Sequence, residues 1–215
     1  MAPRGDPRKF GSIEEMIRRT GVRRDELSVL AEIGALASFG HDRRGALWQI
    51  EHAVRPSGEL FDDGGAPISD SGSPLAPMTP IERMTADFAG TGMTIGPHPM
   101  TFHRPQMVLK GVLRTVDLPG QRPGRRVRVA GCVITRQRPG TAKGFVFLTL
   151  EDETGVGNVI ITPDVYDQQR LLIVDAAFVI VEGILQHQDG VTAVKAERLS
   201  VLQGVPVTIE SHDFH

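Results

Sequence analysis

The sequence predicts an α+β chain: a helical first part, a flexible connector and a C-terminal five-stranded β-barrel. Three observations carry this. Apolar residues recur at helical spacing between about residues 10 and 55, a stretch rich in Gly, Pro, Ser and Asp follows, and short runs of alternating apolar residues fill about 125 to 202. The expected divisions are 1–55 helical, 56–124 connector, 125–202 barrel and 203–215 tail. A chain of 215 residues has room for one large domain or two small ones, and its 40% hydrophobic content supports a core. The formal charge of −2 excludes a globally basic coat but not a local basic patch. A single cysteine, Cys132, excludes an internal disulfide or a cysteine metal cage. Its apolar neighbours make it a small buried filler. There is no signal-like apolar run and no stretch long enough to span a bilayer, so a soluble, cytoplasmic protein with no membrane partner is expected.

The helices come first. Ser12 with Glu15 three residues on has the capping-box pattern, Ile13, Met16 and Ile17 follow at helical spacing, and Gly21 stops the helix. Asp25 is the expected cap of a second helix bearing Leu27, Leu30, Ala31 and Ile33, which Gly34 breaks. A third holds Arg43, Arg44, Leu47, Trp48 and Ile50. In the connector, PSGELFDDGGAPISDSGSPLAP has too little apolar surface to order itself. Thr79-Pro80 then opens a helix over 81–88, with Thr79 as cap and Pro80 in the first turn.

The strands follow. Val127, Val129, Gly131 and Val133 mark the core face of the first. In the second, Val146, Leu148 and Leu150 face one way and Phe145, Phe147 and Thr149 the other. A third covers 156–161. Thr162-Pro163-Asp164 starts a helix carrying Val165, Leu171 and Leu172. Residues 178–186 and 191–201 are the last two strands, joined by an Asp189-Gly190 hairpin turn. Three strands, a short helix and two strands within ~80 residues is the order of an OB barrel, a fold that often binds single-stranded nucleic acid or oligosaccharide.

The segment QRPGTAKGFVFLTLEDETG, 137–155, raises the functional question. Glu151, Asp152 and Glu153 could suggest a metal site, but strand neighbours diverge and a two-metal centre needs carboxylates from separate elements. A solvated strand end is the expectation, with no catalytic residue and no metal. The preceding loop reads differently. Arg136 and Arg138 share one face of the first strand, Lys143 lies across the loop, and Thr141 and the Gly-rich backbone can donate to phosphate oxygens. Phe145 and Phe147 lie opposite the barrel core. Cations beside exposed rings are what single-strand binding requires, because charge tracks the backbone and rings stack on bases. The alternative is that the two phenylalanines pack under a neighbouring helix.

The segment VRVAGCVITRQRPGTAKGFVFLTLEDETG closely resembles the OB domain near the C-terminus of bacterial DNA polymerase III alpha-like enzymes. LAEIGALASFGHDRRGALWQI is similar to the end of their tandem helix-hairpin-helix region, ADFAGTGMTIGPHPM to the connector after it, and SHDFH to the end of the error-prone branch. The resemblance implies the DNA-handling end of a translesion polymerase working in replication and repair, near the nucleoid. It implies that the palm and phosphoesterase domains precede this region, so Mg2+ belongs to the absent palm and this chain needs no cofactor. It further implies partners: single-stranded DNA, the polymerase catalytic region, an adaptor protein and the sliding clamp. The hairpin Ile33-Gly34-Ala35-Leu36, with Arg43 and Arg44, would hold a duplex DNA backbone through amides and cations; an ordinary helix break is the alternative.

Weaker signals remain. Leu60 and Phe61 in GELFDD are candidate clamp anchors, without the usual leading glutamine. His98, His103, His212 and His215 lack the spacing of a metal site. The tail from Pro206 is a candidate docking segment. Two other function classes stay open: a protein-docking module, and an OB domain serving RNA.

Overall fold

The computed structural model describes residues 10–53 and 73–205, and the backbone of 212–214. The chain divides into two compact units, Met1–Thr91 and Gly92–His215.

The first unit is helical. Helix α1, Ile13–Thr20, begins where the Ser12 hydroxyl accepts from the Glu15 amide at 3.1 Å, and ends at Gly21 with φ 65°. Helix α2, Arg24–Glu32, is capped differently from expectation. Arg23, not Asp25, is the N-cap, because the Glu26 carboxylate accepts from the Arg23 amide at 2.9 Å and so sets the helix start two residues earlier. Beyond α2, Gly34 adopts φ 80°, and the Gly34 and Ala35 amides donate to the carbonyls of Ala31 and Leu30. This pairing closes the helix end. Helix α3, Arg43–Ala53, starts where the Asp42 carboxylate accepts from the Gly45 amide at 2.7 Å. Helix α4, Pro80–Thr91, has a complete capping box: the Thr79 hydroxyl accepts from the Glu82 amide, and the Glu82 carboxylate accepts from the Thr79 amide. Ile13, Met16, Leu27, Ala31, Leu36, Ala46 and Ile50 form the core of this unit.

The second unit is a closed barrel with additions. Its strands are β1 (Arg126–Gln137), β2 (Val146–Asp152), β3 (Gly155–Ile161), β4 (Phe178–Gln188) and β5 (Val191–Val201). The sheet runs β2-β3-β5-β4-β1, and a further β1–β2 pairing closes it. Only the β3–β5 pair is parallel among these five. Asp189 and Gly190 both have positive φ, the turn that matches the twist of the β4–β5 hairpin. The interior is filled by Val127, Val129, Val133, Leu148, Leu150, Ile161, Leu185 and Leu199, among others. Each such side chain contributes roughly 1.5–3 kcal/mol relative to exposure. Two close crossings demand glycine. A Cβ on Gly131 would lie 2.5 Å from the Glu151 carbonyl oxygen, and one on Gly183 would lie 2.1 Å from that of Lys195.

Helix α5, Pro99–Leu109, and helix α6, Pro163–Asp175, complete the unit. Tyr166 and Ile173 are the buried residues of α6, while Leu171, one of the apolar residues expected on the helix, is 80% exposed. The helix path explains this. Gln169 leaves helical geometry, and its amide group exchanges two hydrogen bonds of 2.9 Å with the Leu199 backbone, which rotates the following turn.

The region assigned to a connector, 56–124, is more ordered in its second half than its composition suggests. Helix α4 joins the helical unit. Helix α5 instead packs Met100 and Met107 on Ala130, Cys132 and Phe178, the outward residues of β1 and β4. A short apolar set in a Pro- and Gly-rich segment finds its partner only in tertiary structure. The tail also differs from expectation: strand β6, His212–Phe214, pairs parallel with Thr135–Gln137 of β1. It adds a sixth strand along the part of β1 that β4 has left. Leu60 and Phe61 lie outside the described residues.

Candidate nucleic-acid interface

One irregularity in β1 decides which side chains meet. Up to Val133 the odd residues point into the barrel, as expected. Between Val133 and Thr135 the register with β2 slips, so Ile134 and Thr135 both point outward. A bulge of one residue exchanges the two faces of everything after it. Arg136 therefore pairs with the core residue Leu148, and Gln137 pairs with Phe147.

The consequence is a correction to the expected cluster. Arg136 and Arg138 do share a face, but it is not the face of Phe147. Both look toward α6. The Arg136 guanidinium donates to the carbonyls of Ile173 at 2.7 Å and Ala176 at 2.6 Å, satisfying the end of that helix. The Arg138 guanidinium lies 4.4 Å from the ring centre of Tyr166, near the start of the same helix, in a cation–π contact. Arg136 is thus engaged by protein acceptors, while Arg138, exposed on its outer side, stays accessible.

The β1–β2 loop is short and shaped. A single 3-10 turn spans Gly140–Ala142, Lys143 and Gly144 both adopt positive φ, and the Phe145 amide closes the loop on the Ala142 carbonyl at 3.0 Å. Thr141 and Lys143 are exposed at its tip. Lys143 has no ion pair among the described residues. Phe145 is half-buried, and Phe147 is 37% exposed on the outer face of β2.

Register now shows who accompanies Phe147. Across β2–β3 it faces Ile160, and Thr149 faces Asn158; across β3–β5, Ile160 faces Lys195. The outer face therefore carries Gln137, Phe147, Thr149, Asn158, Ile160 and Lys195. The cation in this set, Lys195, comes from a strand that the opening motif does not include. Period-two alternation could have named it, given the parallel β3–β5 pairing that only the closed barrel supplies.

Of the three carboxylates, Glu151 keeps a half-exposed side chain, but Asp152 and Glu153 are not a solvated strand end. Asp152 is 3% exposed and accepts from the Thr115 amide (2.8 Å) and hydroxyl (2.7 Å), the Thr154 amide (2.8 Å) and hydroxyl (2.6 Å), and Arg104 (3.0 Å). Burial pushes its carboxyl up, but the bonds from Thr154 and Thr115 outweigh this and hold it below the ordinary aspartate value. Glu153 takes the same arginine at 2.9 Å. The cluster ties the β2–β3 turn to α5 and to the 3-10 turn Thr115–Asp117. His98, 4.0 Å from Glu151, accepts from the Met100 amide as the cap of α5. Burial lowers its pKa despite the neighbouring acids. No group of three or more His, Cys, Asp or Glu is placed to hold a metal among the described residues.

In the helical unit, Arg43 forms an ion pair with Asp87 at 2.7 Å and donates to the carbonyls of Glu32 and Arg83. Arg44 donates to the Ala76 carbonyl and to Glu82. The Gly34 and Ala35 amides are occupied by α2. The hairpin and its two arginines are thus bonded within their own unit. Such bonds fit an ordinary helix break held by α4 better than a phosphate grip.

No helix of the described residues is long and apolar enough to cross a membrane. Residues 127–202 match the model of the OB-fold nucleic acid binding domain family. The chain is 38% identical over 96% of its length to an error-prone DNA polymerase of Anaeromyxobacter sp. (strain K), and spans 18% of that protein. It is 40% identical over 85% of its length to the error-prone DNA polymerase of Caulobacter vibrioides, spanning 17% of it. Among solved structures, asparaginyl-tRNA synthetase from Pyrococcus horikoshii is 28% identical, over 44% of this chain and 23% of that one, with a TM-score of 0.38. The chain thus corresponds to less than a fifth of the length of these polymerase relatives; it resembles one portion of the error-prone DNA polymerases, and that portion carries an OB-fold domain.

Proposed function

We propose that this chain is a DNA-binding part of an error-prone, translesion polymerase, and that its barrel grips single-stranded template DNA. The observation that carries the reading is Phe147: a large ring, partly exposed on an open barrel face, with Lys195 on the same face and Lys143 on the adjoining loop. Stacking on such a ring contributes about 1–3 kcal/mol per base, and lysines supply sequence-independent attraction to phosphates. Phe147, Lys143, Thr141 and Lys195 form the interface, while Arg138 lies over Tyr166 on the α6 side. Phe145 supports the loop from its half-buried position. Arg136 is a structural residue. Arg43 and Arg44 would have to give up their bonds within the helical unit to reach a duplex backbone.

The chain takes no cofactor in this reading. Polymerase chemistry and its Mg2+ belong to a separate catalytic region, and the adaptor and sliding clamp are partners of the whole assembly in the cytoplasm. The test is fluorescence-anisotropy titration of labelled oligothymidylate over a salt series, with wild type and a Lys143→Ala, Phe147→Ala, Lys195→Ala variant. Affinity that falls with salt and collapses in the folded variant is expected. A folded wild type that ignores the oligomer at low salt would overturn the proposal.

A second reading has one observation in its favour. Leu171 and Val174, three residues apart on α6, are 80% and 45% exposed. As a docking patch for the polymerase body they would bind with little salt dependence, unlike the DNA surface.

A further inference from the structure

The second unit has a basic cleft away from the Phe147 surface. Its volume is about 350 Å³, and Lys110, Gly111, Leu113, Arg125, Arg126, Val127, Arg128 and Glu182 line it. Four cationic side chains thus meet one carboxylate. The cleft is built by the fold. The Leu113 amide donates to the Arg128 carbonyl at 2.8 Å, which lays the segment after α5 beside β1. The start of β1 supplies Arg126, Val127 and Arg128 to the lining, and β4 supplies Glu182.

These cations are held lightly. Arg128 lies 3.3 Å from Glu182 and Arg126 lies 2.8 Å from Glu197, both as exposed pairs. Exposed pairs of this kind contribute little, so a phosphate can compete for them. Arg125 bonds to the neutral Gln121 side chain. Lys110 has no ion pair among the described residues.

Register connects this cleft to the Phe147 surface. Gln137 faces Phe147, Phe147 faces Ile160, Ile160 faces Lys195, Lys195 faces Ile184, and Ile184 faces Arg126. All six belong to one outward row that passes around the barrel from the end of β1 to its beginning. Adjacent strands are ~4.8 Å apart, so five steps amount to roughly 24 Å of surface path. The row begins with an aromatic and apolar stretch and ends in the cations of the cleft.

We infer that the cleft of Lys110, Arg125, Arg126 and Arg128 is a second phosphodiester subsite, which receives the backbone of the single strand after it leaves Phe147 and crosses β5 and β4. This rests on the single-strand reading above and adds a direction and a second anchor to it. The ring site holds bases. The cleft holds phosphates and reads no sequence, since it offers guanidinium and ammonium groups without a stacking ring.

The experiment compares full-length wild type, a Lys110→Gln, Arg125→Gln, Arg126→Gln variant and Phe147→Ala. Labelled oligothymidylates of ~4 and ~16 nucleotides, the range of sites for one such barrel, are titrated over a salt series. In wild type the longer oligomer should bind at least tenfold tighter. The cleft variant should keep wild-type affinity for the short oligomer, lose most of the gain from length, and show a salt slope smaller by ~0.7 for each phosphate contact removed. Phe147→Ala should weaken both lengths. Unchanged long-oligomer affinity and slope in the cleft variant would overturn the subsite while leaving the ring site standing. Failure of wild type to bind either length would overturn both. Competition by poly-glutamate equal to that of unlabelled oligothymidylate would also overturn the inference, and would make the cleft a seat for an acidic protein segment.

Discussion

Arg136 donates to the backbone carbonyl of Ile173 at 2.7 Å. That bond places it on the α6 side of β1, across the sheet from Phe147. Replacing Arg136 with Leu leaves the last carbonyls of α6 without their charged donor. Hydrogen bonds to charged groups contribute about 1.5–3 kcal/mol, so a stability loss of that size is expected in urea unfolding. The salt slope of DNA binding should not change. Lys143→Ala should do the reverse, with stability kept and the slope reduced by ~0.7.

Phe147 and Leu148 are neighbours with opposite fates. Leu148 is 2% exposed in the barrel core, and Leu148→Ala should cost about 2–5 kcal/mol of stability. Phe147→Ala should leave thermal unfolding nearly unchanged and weaken oligothymidylate binding by about 1–3 kcal/mol. A melting curve and an anisotropy titration on both variants separate the roles. A large stability loss in Phe147→Ala would place its ring in the packing instead.

Asp152 makes the barrel sensitive to acid. Its unfolded carboxyl titrates near 3.8, and the folded one lies lower. A lowered folded value stabilises the fold above the unfolded pKa, and this contribution is lost as pH falls through the folded value. Asp152→Asn should therefore show a shallower decline of unfolding free energy between pH ~5 and pH ~2 than wild type. At neutral pH the same variant should be less stable by about 3 kcal/mol, the low end for breaking a buried pair because Glu153 still holds Arg104. Denaturant titrations at several pH values test both parts.

Gly131 marks the tightest point of the β1–β2 crossing. A methyl group there would lie 2.5 Å from a backbone oxygen that cannot rotate away. Gly131→Ala should cost about 1–3 kcal/mol, whereas Gly140→Ala, with nothing within 4 Å of the added carbon, should be near neutral.

Cys132 should be chemically silent. Its thiol is buried, and burial pushes its pKa to about 12. Iodoacetamide should label the protein at mildly alkaline pH only after denaturant has opened it. Labelling of the native chain at the unfolded rate would contradict this.

Much of the fold is legible in local chemistry. The Ser12 and Thr79 caps, the Gly21 stop and the Asp189-Gly190 turn each depend on residues within one turn of one another, so the sequence alone is enough to place them. The alternation of Val146 to Leu150 is equally local, and it correctly turns Phe147 outward. The order of strands then leads to the five-stranded barrel.

The site is a different matter. Alternation holds only while a strand is regular, and nothing in VITRQR announces the bulge that turns Arg136 and Arg138 toward α6. The slip falls just where β1 changes partner, from β4 over Arg126–Cys132 to β2 over Cys132–Gln137. The burial of Asp152 likewise depends on Thr115 and Arg104, which lie 37 and 48 residues away in the chain. Lys195 reaches the face of Phe147 through the parallel β3–β5 pairing, and RPGRRVR becomes a cleft only when the segment after α5 lies against it. By itself the sequence determined helices α1 to α4 and α6, strands β1 to β5, their order and the outward ring, but not helix α5 or strand β6. Tertiary structure decided which charges stand beside that ring, because barrel closure sets the register, and register sets which side chains share a face.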